Sequence, residues 1–211
     1  MKNLLIACLL MVTLTGCETV KLGALEQLGY EKRDVLVGRI EKARDAQLDA
    51  KEQFENALQE FQSVVKFDGG ELEKTYNRLS DQYDASKEAA EDVSERIDSV
   101  EYVAEKLFDE WREELEQYSN ADFKRKSQKQ LYETRRQYSG LISAMRKAES
   151  SIQPVLTVFN DQVLFLKHNL NARAIASLKG ELSTIESNVG NLIAEMNKSI
   201  SEANEFISTM R

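Results

Sequence analysis

The sequence predicts an all-α protein, an elongated antiparallel four-helix coiled-coil bundle with up-down-up-down order and an overhanging central hairpin. Three observations predict this class. Apolar residues recur at alternating spacings of four and three, which keeps one seam of a helix facing a partner. The 211 residues include 1 Pro, whereas β-sandwiches need a turn about every eight to twelve residues. A composition of 42% hydrophobic and 30% charged residues is typical of globular or coiled-coil chains.

The first heptad run is followed by a glycine-rich turn. Gly69 and Gly70 allow positive φ, and Asp68 with Glu71 resembles a capping box, so we expect a tight helical hairpin there. The seam of this first helix is predicted at Leu36, Ile40, Ala43, Gln47, Ala50, Phe54, Ala57, Phe61 and Val64.

The second and third runs are the longest. The second stops at Ser119-Asn120-Ala121-Asp122, whose side chains favour turns and caps. The third stays in phase across Pro154, so we expect a kinked continuous helix in preference to a break at Ser150-Ser151. The predicted seams are Leu72, Tyr76, Leu79, Tyr83, Ser86, Ala90, Val93, Ile97, Val100, Ala104, Leu107, Trp111, Glu114 and Tyr118, then Leu131, Arg135, Tyr138, Ile142, Met145, Glu149, Ile152, Leu156, Phe159, Val163, Leu166 and Leu170.

The fourth run starts in a new phase after Asn171, a natural N-cap, with Asn169 expected as a left-handed helix end. The two middle helices are longer than the outer two, so residues 107–130 are expected to overhang as a two-stranded tip at the N-terminal end of the bundle. The seam of the fourth helix is predicted at Ile175, Leu178, Leu182, Ile185, Val189, Leu192, Met196, Ser199, Ala203, Phe206 and Met210.

The two arms of this tip carry opposite charge. Residues 105–118 contain six acids and two bases, and residues 122–136 contain six bases and two acids. Each arrangement opposes the dipole of its own helix. We therefore expect the arms to pair electrostatically across the hairpin.

The N-terminal segment predicts export and lipidation. Lys2 precedes a short apolar run, which cannot span about 30 Å of hydrocarbon and fits a cleaved signal peptide. Leu14, Thr15 and Gly16 before Cys17 match a lipobox, in which small residues admit the signal peptidase and the cysteine is acylated. The alternative is an ordinary secretory signal with a coincidental cysteine.

This assignment divides the chain into a cleaved signal peptide (1–16), a lipidated N-terminus and linker (17–30) and a helical bundle (31–211). Cys8 leaves with the signal peptide and Cys17 becomes a thioether, so the mature chain has no cysteine for a disulfide. Glu18 takes the place of Asp after the acylated residue. Under the enterobacterial sorting rule, this favours the periplasmic face of the outer membrane.

Composition and motifs argue against catalysis and nucleic-acid binding. The formal net charge of −8 is unfavourable for a phosphate backbone. Motifs for phosphate binding, acyl transfer and zinc are missing from the sequence, and Phe165 stands where a di-iron Glu-x-x-His motif needs Glu before His168. We expect no enzymatic activity, no cofactor and no metal site, with His168 as a helix-end residue.

Two surfaces stand out from the solvated background. Residues 154–170 are more apolar than a narrow seam requires. Either this part of the helix is more broadly buried in the bundle, or it contacts a partner or an apolar ligand. The hairpin tip combines aromatic and charged residues, and either packing of these residues on each other or a protein interface explains the combination. The candidate interaction residues of the tip are Phe108, Trp111, Tyr118, Phe123, Lys124 and Arg125.

The turn at residues 166–175, LKHNLNARAI, together with the lipobox and the glycine-rich first turn, resembles a family of proteobacterial helical lipoproteins known by a domain-of-unknown-function label. The resemblance spans the mature chain and implies no catalytic or binding residue. We therefore expect a membrane-anchored structural or protein-interaction module of the bacterial envelope. The alternative is a bundle that binds lipid or an apolar ligand, and the sequence leaves the partner and the oligomeric state open.

Overall fold

The computed structural model describes residues 32–66, 72–169 and 171–211, except for the side chains of residues 172–174. Helices fill these ranges, and the prediction of an all-α four-helix bundle is confirmed. The segments are α1 Lys32–Val65, α2 Leu72–Leu115, α3 Ala121–Ser150, α4 Ile152–His168 and α5 Ala172–Met210, with α3 and α4 together forming the third arm of the bundle.

The arms form a closed square in which α1 packs against α2 and α5, and the α3–α4 arm packs against the same two helices. Side-chain bonds between α1 and α5 show that these two run antiparallel. Arg44 Nη1 donates to Asn204 Oδ1 at 3.1 Å, and Lys51 Nζ donates to Asn197 Oδ1 at 3.1 Å. Ion pairs and hydrogen bonds show the same reversal between α1 and α2 and between α2 and α3, which gives the up-down-up-down order.

The predicted seam of α1 is confirmed at all nine positions, from Leu36 to Val64. Phe54, Phe61 and Phe159 are among the largest fully buried side chains of the core. In α5 the predicted seam is also buried, except that Leu182 and Met210 are partly exposed. These two helices show that the four-and-three spacing correctly identified the core-facing side.

The predicted seam of α3 is wrong at alternate positions. Leu131 and Met145 are buried as expected, but Arg135 is exposed. The buried intermediate positions lie one residue earlier and are Thr134, Leu141 and Ala148. Each of these three residues is smaller or less polar than Arg135 and Glu149, which were predicted in the seam. Burying this side of α3 therefore costs less desolvation free energy.

The third arm is divided at Ser151, three residues before Pro154. Ser151 separates α3 from α4 but keeps right-handed helical angles, φ −79° and ψ −12°. Its backbone N–H still donates to Lys147 O at 3.2 Å. Pro154 has no N–H to offer Ser150 O, so the helical ladder loses one bond there. The expected continuous helix is therefore divided at Ser151, where the sequence offered a break at Ser150-Ser151 as the alternative.

The turns agree in part with the sequence. Asn120 caps α3, its Oδ1 accepting from the backbone N–H of Asp122 at 2.8 Å and of Phe123 at 3.2 Å. Asn169 has φ −136°, so the expected left-handed conformation is wrong there, and its Nδ2 instead donates to Phe165 O at 3.0 Å. The glycine-rich first turn lies outside the described residues.

None of the described helices is both long and apolar enough to cross a membrane.

Candidate interaction site at the hairpin tip

The bundle ends before the α2–α3 hairpin does. Lys32, the first residue of α1, pairs with Glu110 at 2.8 Å, and Thr209 near the end of α5 donates to Gln137 Oε1 at 3.3 Å. Beyond these contacts, residues 111–130 extend past α1 and α5. The predicted overhang is confirmed, although Leu107 and Phe108 are buried, so it starts about one turn later on α2.

An aromatic cluster closes the end of the core beneath the overhang. The ring of Tyr138 lies edge-on between Phe108 and Phe206, with centroid distances of 5.4 Å and 6.4 Å. The Arg135 guanidinium lies 5.4 Å from the centre of the Phe108 ring. Phe108, one of the candidate interaction residues, is therefore part of the core.

Burial and neighbouring charges favour the neutral form of Tyr138 and the charged form of Arg146. Burial is the largest cause that raises the pKa of the Tyr138 hydroxyl, and the charge of Glu101 raises it further against the opposing effect of Arg146. The hydrogen bond to Glu101 is the largest cause that raises the pKa of Arg146. Arg146 also pairs with Asp98 at 2.5 Å and Glu149 at 2.8 Å, which joins α2 to α3.

Above this layer, the two arms of the tip are joined by polar contacts. Trp111 Nε1 donates to Ser127 Oγ at 2.8 Å, and Lys124 Nζ pairs with Glu116 Oε2 at 2.9 Å. Two further candidate residues, Tyr118 and Phe123, are 42% and 57% exposed. The structure therefore leaves two aromatic rings of the apex open to solvent.

The predicted electrostatic pairing of the arms is confirmed at one ion pair and is wrong as a general description. Within residues 105–136, the ion pair that joins the arms is the one between Lys124 and Glu116. Other pairs lie within one helix, such as Arg125 with Asp122 and Lys129 with Glu133. Within this region, the described ion pairs inside one helix therefore outnumber those between the arms.

A cleft of about 340 Å³ lies where the hairpin leaves the bundle. Arg33 of α1 and Met210 of α5 form its lower wall, while Trp111, Tyr118 and Gln130 line the hairpin side. A second cleft, of about 420 Å³, lies between α2 and the third arm and includes Lys87, Glu91 and Glu149 among its lining residues. Both clefts carry charged side chains at the surface.

The apolar stretch at residues 154–170 serves mainly the core. Val155, Leu156, Phe159, Val163 and Leu166 are buried. Leu164 and Phe165 remain exposed, at 49% and 40%. Broader burial therefore accounts for most of this stretch, and two large side chains remain on the surface.

Tyr132 is a surface residue that the sequence analysis missed. It is 71% exposed and lies between Lys129 and Arg136 on α3. The spacing of Arg125, Lys129, Tyr132 and Arg136 places all four on one side of a helix, and this signal was available in the sequence.

The lipidation residue Cys17 and the predicted signal-peptidase residues Leu14, Thr15 and Gly16 lie outside the described residues.

Comparison with known proteins identifies a family but no activity. A search of curated proteins and a search of solved structures find no match to the chain. One family model, described as a protein of unknown function (DUF2959), matches residues 22–210. The chain therefore belongs to the DUF2959 family.

Proposed function

We propose that this protein is a lipoprotein anchored to the periplasmic face of the outer membrane through Cys17, where it acts as a structural or protein-interaction module of the bacterial envelope. The observation that carries the proposal is the sequence Leu14-Thr15-Gly16-Cys17 at the end of a short apolar run that begins after Lys2. More than one acyl chain gives stable anchoring because each buried CH₂ contributes about 0.8 kcal/mol.

The direction of α1 supports a role for the tip near the anchor. Lys32 begins α1 and contacts Glu110 at the overhanging end of the bundle. The chain from Cys17 to Lys32 can span at most about 50 Å at full extension. In an anchored protein, the tip is therefore the end of the bundle that stays close to the membrane.

Packing favours an interaction module over the alternative of a bundle that carries lipid or an apolar ligand. Such a carrier needs a concave and mostly apolar site. The aromatic side chains of the core, including Phe54, Phe61 and Phe159, are fully buried against their neighbours. Both clefts described above open at the surface and are lined partly by charged residues.

Membrane fractionation tests the anchor, with the two cysteines as a matched pair. Cys17→Ser removes the acylated thiol, whereas Cys8→Ser makes the same change inside the predicted signal peptide. We expect Cys17→Ser to leave the outer-membrane fraction and lose palmitate labelling, and Cys8→Ser to behave as the parent chain. Palmitate labelling that persists in Cys17→Ser contradicts the anchor.

A pull-down from detergent-solubilised envelope tests the interaction role. We expect envelope proteins recovered with the parent chain to be lost when Tyr118 and Phe123, the exposed aromatic residues of the apex, are replaced by Ser. Leu164→Ser with Phe165→Ser, at the other exposed apolar pair, is the control. Equal recovery by the parent chain and the apex variant argues against the tip as the interaction surface.

A further inference from the structure

The outer surface of the α2–α3 hairpin carries two charged rows of opposite sign that ion pairs within the protomer compensate only in part. The row on α2 is acidic, and the row on α3 is basic around one tyrosine. Within each row, residues are three or four apart, so each row lies on one side of its helix. The rows are Glu105, Asp109, Glu113 and Glu116 on α2, and Arg125, Lys129, Tyr132 and Arg136 on α3.

Contacts of neighbouring residues show which way the acidic row points. Glu101, one turn before Glu105, pairs with Arg146 of α3, and Glu116 pairs with Lys124 of α3. Glu110, which pairs with Lys32 of α1, lies on the side of α2 opposite Glu101. The acidic row therefore lies on the outer surface of α2, between the side that faces α3 and the side that faces α1.

The basic row lies on the same outer surface. The side chains of Arg125 and Lys129 are 71% and 78% exposed. The buried side of α3 in this region is formed by Leu131 and Thr134, and Tyr132 points away from it. An acidic row and a basic row thus run side by side on the outer surface of one hairpin.

Two features of these rows indicate a partner outside the protomer. Acids near the C-terminal end of α2 and bases near the N-terminal end of α3 each oppose the dipole of their own helix. Within the protomer, Glu116 pairs with Lys124, Asp109 with Arg112, Arg125 with Asp122 and Lys129 with Glu133. Among the described contacts of the rows, Glu105, Glu113 and Arg136 form no ion pair. A partner that offers bases to α2 and acids to α3 would compensate the others.

A second copy of this chain has that arrangement. A two-fold axis parallel to the helices sets α2 of one copy against α3 of the other, so opposite charges meet on both sides of the axis. An axis perpendicular to the helices would set α2 against α2 and oppose like charges. An anionic lipid surface would attract the basic row and repel the acidic one, which makes it the less complementary partner.

The register follows from contacts within the hairpin. Glu116 is level with Lys124, and Trp111 is level with Ser127. A two-fold axis along the bundle preserves these levels. Glu116 then meets the partner's Arg125, Glu113 meets the partner's Lys129, and Glu105 meets the partner's Arg136.

We propose that the outer surface of the α2–α3 hairpin, residues 105–136, is a homodimer interface with this symmetry. Tyr132, 71% exposed in one copy, supplies the aromatic contact at the centre of each basic row, opposite the partner's Asp109. Both tips and both N-terminal ends lie on the same side of the dimer. The proposal goes beyond the proposed function, because it assigns a second copy of the chain to a surface of the hairpin that does not include the apex residues Tyr118 and Phe123.

The interface is short, and this determines its strength. Glu105 to Glu116 spans about 16 Å along the helix, which buries less than the roughly 800 Å² per partner of a standard interface. The dimer is therefore weak in dilute solution. Two copies anchored at the same end to one membrane have a high effective concentration, which favours the pairing.

Two charge-reversal variants of the full chain test the proposal. One carries Arg125→Glu, Lys129→Glu and Arg136→Glu, and the other carries Glu105→Lys, Glu113→Lys and Glu116→Lys. We expect each variant alone to lose self-association by about tenfold or more in sedimentation velocity, and an equimolar mixture to recover it as heterodimer. Circular dichroism verifies that each variant remains folded.

A matched control changes the same charge elsewhere. Asp84→Lys, Glu88→Lys and Glu95→Lys lie on an exposed side of α2 far from the tip, and we expect this variant to self-associate as the parent does. The interface is supported if the two tip variants form a heterodimer while the control does not associate with the Arg125/Lys129/Arg136 variant. It also excludes nonspecific attraction between reversed charges.

Three results would overturn the proposal. The first is a parent chain that stays monomeric both in concentrated solution and when crosslinked on vesicles. The second is a mixture of the two tip variants that stays monomeric. The third is an Arg125/Lys129/Arg136 variant that self-associates normally but loses binding to phosphatidylglycerol vesicles. The last result assigns the basic row to lipid. Because self-association is measured on purified chain, Cys17→Ser can lose the anchor and still dimerise, which separates failure of the anchor from failure of the interface.

Discussion

Trp111 and Ser127 hold the two arms of the hairpin together where α1 and α5 no longer support them. The indole N–H of Trp111 donates to Ser127 Oγ at 2.8 Å. This hydrogen bond lies between the buried Phe108 and the exposed apex, with the buried Leu115 one turn closer to the apex on α2.

Ser127→Ala is expected to loosen the tip without unfolding the bundle. The change leaves the half-buried indole N–H of Trp111 without its acceptor, which costs about 1 kcal/mol. We expect faster proteolysis at residues 116–121 and a small change in Tm. Gln128→Ala, at the exposed neighbouring position, is the control, and equal protease resistance in both variants would contradict the role of this bond.

Lys124→Glu should separate the arms more than Lys126→Glu does. Lys124 pairs with Glu116 at 2.9 Å across the hairpin, so its reversal opposes two carboxylates, whereas Lys126 is an exposed residue of the same arm. Adding Glu116→Lys should restore protease resistance to Lys124→Glu. The global stability should change by about 0 to 1 kcal/mol because exposed pairs are weak. Failure of the rescue would remove this pair from the account of the tip.

Gln47→Leu should stabilise the bundle. Gln47 is fully buried in the seam of α1, and neither polar atom of its side-chain amide has a hydrogen-bond partner. Leu fills a similar volume without an unpaired amide, so we expect a gain of about 1 kcal/mol, or about 2 to 4 °C in Tm. Gln53→Leu is the contrast, because its amide donates to Gln82 Oε1 at 3.0 Å. A destabilised Gln47→Leu would show that the amide makes a favourable interaction.

Alkaline unfolding tests the environment of Tyr138. Burial raises the pKa of its hydroxyl in the folded chain, so above about pH 10 the unfolded chain loses this proton first. The contribution of Tyr138 to stability is therefore lost as pH rises above that value. Tyr138→Phe removes it, and urea unfolding between pH 8 and 11 should show a shallower fall for the variant. Parallel curves would contradict the assignment.

The sequence predicted the parts of the fold that depend on apolar spacing. All nine seam positions of α1 are buried, because eight of them are apolar and recur at four-and-three spacing along the whole helix. The frame of α3 was half wrong because Leu141 and Ala148 stand next to Ile142 and Glu149, and the spacing alone does not choose between neighbouring rows. The choice depends on how α2 and α5 pack against α3.

The sequence predicted the location of the candidate site better than the contacts of its residues. The overhang followed from helix lengths, and Tyr118 and Phe123 are exposed there as expected. Phe108 is buried instead, because Tyr138 and Phe206 pack around it from other helices. The charges of the arms are segregated by helix, but the side of each helix on which they lie required the three-dimensional structure.

Intact mass measurement of the mature protein from envelope fractions tests the proposed function most directly. The account predicts a chain that begins at Cys17, lacks residues 1–16 and carries the added mass of a diacylglyceryl group with or without a third acyl chain. A mature chain that retains residues 1–16, or that begins at another residue without lipid, would contradict the anchor and with it the placement of the tip beside the membrane.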